Sequence, residues 1–156
     1  RLLTEYLGPS DSLLLYPEGT RCTAKKLARA KEIIAERQPE LADLAERLHN
    51  VLPPRLGGAL TLLEHAPEAD VVIFGHVGLD GFEYISDIWG GGLVGSTVTL
   101  KFWRFPASEV PDGRDERIAW LYERWQELDD WIGMMRAGGT VTLGTKAAAA
   151  APAGYR

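Results

Sequence analysis

A long, highly charged segment follows Pro111-Asp112-Gly113 and has one narrow apolar stripe. The stripe consists of Ile118, Leu121, Trp125, Leu128 and Ile132, with alternating spacings of three and four residues. On an α-helix this spacing places the five side chains on one face, and charged residues occupy most of the remaining surface. Such a helix is stable only when its apolar face is buried, so the segment predicts a layered fold. Trp120 and Trp131 lie off the stripe, and we expect them to cover a neighbouring surface.

Strand-like and helix-like patterns occupy the preceding part of the chain. Apolar runs predict strands at Leu13–Tyr16, Val71–Phe74 and Thr97–Phe105. Helical spacing predicts a helix over Ala24–Glu36, with Thr23 as its N-cap. A second, short helix is predicted to begin at Pro39, and the residues on its apolar side are Leu41, Leu44, Ala45 and Leu48. A third helix is predicted to begin at Gly57-Gly58. Strands that alternate with helices favour an α/β architecture. The glycine-rich connection at positions 90–95 is expected to be flexible or tightly turned.

Composition and charge limit the classes of protein that the chain can represent. Its 156 residues suffice for one domain, and 46% hydrophobic with 25% charged residues is typical of a folded globular protein. The net charge of −5 argues against a nucleic-acid-binding protein, which needs a basic face. A single cysteine, Cys22, excludes an internal disulfide framework and a cysteine-based zinc site. The longest charge-free stretch, Ile88–Leu100, has 13 residues, fewer than the roughly 20 that a transmembrane helix needs.

The most informative motif is Tyr16-Pro17-Glu18-Gly19-Thr20-Arg21, between the first predicted strand and the first predicted helix. Proline fixes the direction of the chain, and glycine permits a turn that other residues resist. Arginine offers a planar fork of donors suited to phosphate, and the start of a helix adds backbone amide donors. This combination favours an anion site for a phosphorylated small molecule. The alternative is an ordinary surface turn with an ion pair between Glu18 and Arg21.

This motif resembles the Phe-Pro-Glu-Gly-Thr-Arg block of the glycerolipid acyltransferases, the 1-acylglycerol-3-phosphate acyltransferase family. Later segments are similar to the family in the same order. They are Cys22–Leu27 (the following helix start), Val51–Gly58 (the family's Leu-Pro-Arg-Thr-Lys-Gly-Phe segment), and Lys101–Pro111 (a strand and an Ile-Pro turn), followed by the charged helix with Trp120-Leu121-Tyr122. The resemblance extends from about residue 10 to about residue 134.

The resemblance implies a fold and a chemistry. Residues 1–136 would be the C-terminal portion of one acyltransferase domain with a mixed sheet flanked by helices, and residues 137–156 a flexible, alanine- and glycine-rich tail. The family transfers an acyl group from acyl-CoA or acyl-ACP to the free hydroxyl of a lysophospholipid, with no metal and no cofactor. The resemblance also implies that the protein associates with the cytoplasmic face of a membrane and has no nucleic-acid partner. Glu18, Gly19, Thr20 and Arg21 would form the acceptor site, with Arg21 on the phosphate and Glu18 fixing the loop or a glycerol hydroxyl.

The sequence departs from the family pattern at the catalytic pair. The family has a His-x4-Asp motif upstream of the Glu-Gly-Thr-Arg block, and no histidine precedes Glu18 here. We therefore expect the catalytic His and Asp to lie upstream of this chain. His65 and Asp70 have the literal spacing but follow the Leu-Pro-Pro-Arg segment, which favours a helix-terminal histidine and a strand-initiating aspartate.

Several single residues have a structural and a functional interpretation. His76 and His49 are interpreted as structural, because a histidine without convergent partners is seldom catalytic. Cys22 is interpreted as a packing residue, with a lowered thiol pKa near the helix start as the alternative. Arg55 supports either the phosphate site or a turn between prolines. At the level of the whole protein, a non-catalytic phospholipid- or phosphate-binding protein and an interaction module built on the Ile118–Ile132 helix remain alternatives.

Overall fold

The computed structural model describes Gly8, residues 11–78 and residues 97–138. Four α-helices, two 3-10 turns and two strands form the ordered elements of these residues. In chain order they are α1 (Ala24–Arg37), a 3-10 turn (Pro39–Leu41), α2 (Ala42–Glu46), α3 (Leu56–His65), β1 (Val71–Val77), β2 (Thr99–Phe105), a second 3-10 turn (Ala107–Glu109) and α4 (Arg114–Arg136). The predicted glycine-rich connection at 90–95 lies outside the described residues, as does the tail from residue 139 onward.

The helices begin where the local sequence predicts. Thr23 adopts an extended conformation, and its hydroxyl accepts a hydrogen bond from the Lys26 backbone N–H at 3.3 Å, so it caps α1 as expected. The segment that begins at Pro39 buries Leu41, Ala45 and Leu48, with Leu44 partly buried against the core. These elements depend on short-range spacing and capping, which explains why their prediction from sequence is confirmed.

The strands β1 and β2 pair antiparallel, and α4 packs against one face of this sheet. The register places Val71 opposite Phe105, Ile73 opposite Trp103 and Val77 opposite Thr99. Every residue of the predicted stripe on α4 faces the core, and Tyr122, Asp129 and Trp131 join it. The architecture is consistent with an α/β fold, and the sheet in the described residues is antiparallel and has two strands.

One prediction about an apolar segment is wrong. Leu13–Tyr16 forms no strand, and Leu14 and Tyr16 are 72% and 74% exposed, because no strand of the described chain pairs with them. Trp131 covers a neighbouring surface as expected: it is buried, and its ring packs edge-on against Trp103 with centroids 5.5 Å apart. The core-facing surface of α4 is therefore wider than the stripe that periodicity reveals. Trp120 is half-buried and covers the Phe105 ring as expected.

The opposite face of the sheet is apolar and exposed in the described part of the chain. Val72, Phe74, Leu100 and Phe102 project from it, and the two phenylalanine rings lie 4.9 Å apart. Within the described ranges, no helix is both long enough and apolar enough to cross a bilayer.

Candidate functional site

The segment 16–21 forms a tight turn that leads into α1. The Gly19 N–H donates to the Tyr16 carbonyl at 3.0 Å, and Gly19 has a φ of +67°. This left-handed conformation is costly for a residue with a Cβ, so glycine is required at this position for a local reason. The turn projects Thr20 and Arg21 into solvent just before Thr23 caps the helix.

The turn is attached to segment 52–55 by two polar contacts. A carboxylate oxygen of Glu18 accepts a hydrogen bond from the Leu52 N–H at 3.0 Å, and the Pro17 carbonyl accepts one from the Arg55 N–H at 2.9 Å. Pro53 and Pro54 lie between them and are buried. Because proline has no backbone N–H, Leu52 and Arg55 are the amides of this segment that can hold the turn. Glu18 therefore attaches the loop to segment 52–55.

Segment 49–52 is in turn held by α4. The buried carboxylate of Asp129, 2% exposed, accepts hydrogen bonds from the backbone N–H groups of His49, Asn50 and Val51. The Trp125 indole N–H donates to the Leu52 carbonyl at 2.9 Å. A buried carboxylate with three amide donors is well satisfied and fixes the backbone of this turn. A continuous set of hydrogen bonds thus connects α4 to the loop 16–19.

The loop contains one cationic side chain, Arg21, and two others lie beside it. The Lys26 ammonium donates to the Thr20 hydroxyl at 2.8 Å and to the Arg21 carbonyl at 3.4 Å. The Arg55 guanidinium lies beside Gly19, with its Cζ 2.9 Å from the position that a Cβ on Gly19 would take. Arg21 and Arg55 are exposed, and neither side chain forms an ion pair or hydrogen bond with the described part of the chain. In a protein of net charge −5, this concentration of unpaired positive charge suits an anionic ligand.

The surface-turn interpretation required an ion pair between Glu18 and Arg21. In the described residues, these two side chains do not form an ion pair with each other. Glu18 points toward Leu52, away from the solvent-facing side of the loop. Burial raises the pKa of Glu18 above its usual value of 4.5, while the Leu52 N–H lowers it and the charge of Asp129 raises it to a smaller extent. Glu18 is thus engaged by Leu52 and does not pair with Arg21.

Cys22 does not have the activated thiol of the alternative interpretation. Burial raises its pKa, the charges of Glu18 and Asp129 raise it further, and Arg136 and Lys26 lower it to a smaller extent. A thiol with a raised pKa is a poor nucleophile at neutral pH. Cys22 is half-buried at the start of α1, consistent with a packing role.

The side chains of His65 and Asp70 do not hydrogen-bond each other, and each has a different partner. The His65 ring Nδ1 lies 2.8 Å from the Thr61 carbonyl of its own helix. Asp70 is engaged by the Arg104 guanidinium and by the Ala107 N–H, and these contacts hold the pKa of its carboxyl below the usual range. His76 is exposed on the outer face of β1, with its ring beside Phe74. No three His, Cys, Asp or Glu side chains among the described residues cluster closely enough to hold a metal ion.

The structure thus joins elements that the sequence presented separately. Glu18, Gly19, Thr20 and Arg21 form one loop, and Arg55 and Lys26 lie beside it. Asp129 was missed by sequence reasoning. Its position four residues after Trp125 and three before Ile132 was an available signal, because an acidic residue on the apolar face of a helix requires partners.

Comparison with known proteins indicates a distant relationship. The chain is 23% identical over 137 residues to a protein of Schizosaccharomyces pombe named as an uncharacterized acyltransferase. The similarity covers 79% of this chain and 36% of the length of that relative. No family model matches the chain, and no solved structure matches it significantly. The chain is therefore similar to part of a longer protein that bears the name of an acyltransferase.

Proposed function

We propose that this chain contributes the acceptor-binding part of an acyltransferase. The reaction would transfer an acyl group from acyl-CoA or acyl-ACP to the free hydroxyl of a lysophospholipid, converting 1-acylglycerol-3-phosphate to phosphatidic acid in glycerophospholipid biosynthesis. The observation that carries the proposal is the loop 16–21, because its glutamate is used for support and its arginine is left for a ligand. The distant similarity to a protein named as an acyltransferase supports the same reaction class.

In this proposal the loop binds the phosphate of the acceptor. The Arg21 guanidinium offers paired N–H donors to two phosphate oxygens, and Lys26 adds a positive charge from the first turn of α1. Binding the phosphate fixes the glycerol hydroxyl relative to the thioester, which removes the entropy cost of bringing the two reactants together. Acceptor binding by this loop also agrees with a site at the membrane surface, where lysophospholipids reside.

The chemical step is an acyl transfer without a covalent enzyme intermediate. The hydroxyl oxygen attacks the thioester carbonyl as a general base takes its proton, the new ester C–O bond forms, and the C–S bond breaks to release the thiol. Among the described residues, no histidine ring forms a hydrogen bond with an aspartate side chain. The proposal therefore assigns acceptor binding to this chain and assigns the base to a histidine–aspartate pair outside this sequence.

Ligand binding tests the proposal directly. We expect sn-glycerol 3-phosphate and lysophosphatidic acid to bind the chain, and Arg21→Gln to weaken both affinities by about tenfold or more through loss of a charge-assisted contact. Isothermal titration calorimetry at fixed ionic strength measures this loss. Arg37→Gln is the matched control, because it removes the same charge from the other end of α1, about 20 Å away.

The outcomes separate the proposal from its alternatives. If Arg21→Gln binds both probes as tightly as the unchanged chain, the loop is no phosphate site. Acyl transfer is then measured on the intact native protein with acyl-CoA and acyl-ACP donors. Phosphate binding without acyl transfer by that protein would favour a non-catalytic phospholipid- or phosphate-binding protein instead.

A further inference from the structure

Segment 49–55 lies against the loop and places the Arg55 side chain beside it. The Arg55 backbone N–H is used to hold Pro17, at 2.9 Å. Its side chain is not needed for that contact. The guanidinium instead extends over Gly19, where three of its atoms lie within 3.1 Å of a hypothetical Cβ. Arg55 therefore combines a structural backbone with a side chain placed at the ligand side of the loop.

Glycine at position 19 is needed for this approach as well as for the turn. The φ of +67° would disfavour any other residue, and a Cβ would also collide with the Arg55 guanidinium. The guanidinium has no acidic partner in the described chain, since the nearby Glu18 carboxylate is bound to Leu52. An exposed guanidinium without an acidic partner keeps its N–H donors available to an anion.

The backbone beneath Arg55 is fixed more firmly than that of an ordinary surface loop. Asp129 binds three successive amides just before it, Trp125 binds the Leu52 carbonyl, and two buried prolines follow. Proline and multiple hydrogen bonds both reduce the conformations open to a segment. A cation on such a segment is preorganised, so little entropy is lost when it binds a ligand.

We propose that Arg55 is a second anion ligand, which binds the same phosphate as Arg21, with Asp129 as the positioning residue for its segment. The inference rests on the proposed phosphate site and extends it. Two guanidinium groups favour a phosphomonoester, which carries close to two negative charges at pH 8, over a phosphodiester, which carries one.

The test compares two soluble probes at pH 8, sn-glycerol 3-phosphate and its methyl diester, by isothermal titration calorimetry. We expect the unchanged chain to prefer the monoester. Arg55→Gln should weaken monoester binding by about tenfold and diester binding by less. The ratio of monoester affinity to diester affinity should therefore decrease. Arg55→Lys keeps the charge and should restore part of the preference. Arg47→Gln, an exposed arginine on the other side of the Asp129-bound turn, should leave both affinities unchanged.

The same measurements distinguish failure of this inference from failure of the proposed function. Loss of binding in Arg21→Gln with an unchanged preference in Arg55→Gln would leave the phosphate site in place and remove Arg55 from it. Equal weakening of both probes by Arg55→Gln, together with a lower melting temperature, would show a purely structural role and overturn the inference. Absence of phosphate binding by the unchanged chain would overturn both.

Discussion

The loop 16–21 and the body formed by β1, β2 and α4 are held by different kinds of contact. The body buries large side chains such as Trp125, Trp131 and Phe105, each of which contributes roughly 1.5–3 kcal/mol through removal of apolar surface from water. The loop is attached by the Glu18–Leu52 and Pro17–Arg55 hydrogen bonds. Damage to the body should therefore appear as lost stability, and damage to the loop chiefly as altered ligand binding.

Segment 49–55 belongs to both regions. Its first half is bound by Asp129 and Trp125 of α4, and its second half binds Glu18 and Pro17 of the loop. The geometry of the loop consequently depends on a buried carboxylate in the body. Substitutions of the residues that bind this segment, Asp129 in the body and Glu18 in the loop, therefore test most directly how the two regions differ.

Asp129→Ala should have the largest effect. It removes the acceptor of three backbone N–H groups, and an unsatisfied buried donor costs about 1–3 kcal/mol. We expect the free energy of unfolding to fall by about 3 kcal/mol or more in urea denaturation. Asp130→Ala is the matched control, because the neighbouring carboxylate is exposed and accepts from Gln126 alone, so the change should stay within about 0.5 kcal/mol. Equal losses in the two variants would contradict a special role for Asp129.

Gly75→Ala tests how tightly the body is packed. The new Cβ would lie 2.6 Å from Leu128 Cδ1 and 3.0 Å from the Trp131 ring, so side chains must shift. Overpacking of this kind costs about 1–3 kcal/mol, measured by thermal or urea unfolding. In contrast, Gly57→Ala at the start of α3 meets no atom within 4 Å and should be neutral or stabilising by up to about 1 kcal/mol. A Gly75→Ala variant as stable as the parent would indicate a looser interface between α4 and the sheet.

Glu18→Gln should have a smaller, pH-dependent effect. The folded-state pKa of Glu18 lies above its usual value of 4.5, so folding favours the protonated carboxyl. That contribution is fully present below pH 4.5 and is lost as the pH rises through the folded-state pKa. The parent should therefore lose stability relative to Glu18→Gln on going from pH 4 to pH 7, as followed by unfolding at each pH. A difference that grows in the opposite direction would mean that the Leu52 N–H outweighs burial.

His65→Ala should have the smallest effect. The exposed ring contacts its own helix, and Asp70 is engaged by Arg104, so acyl transfer by the intact native protein should be unchanged. Stability should change by no more than about 0.5 kcal/mol. Loss of acyl transfer with unchanged stability would instead identify His65 as a catalytic residue.

Local patterns determined much of this protein. Thr23 and the spacing that follows define α1, and the residues after Gly113 define α4, because capping and helical periodicity act over a few residues. The candidate loop was also identifiable, since its proline, glycine and charged residues are adjacent in the sequence. That this loop is part of an acyltransferase stays a prediction.

Tertiary structure decided the rest. Leu13–Tyr16 is apolar enough for a strand, yet a strand exists only where a partner strand supplies hydrogen bonds, and periodicity cannot reveal the partner. The association of Glu18 with Leu52, of Pro17 with Arg55 and of Asp129 with residues 49–51 joins positions up to 80 residues apart. Local sequence sets which groups can donate and accept, whereas long-range packing determines which of them meet.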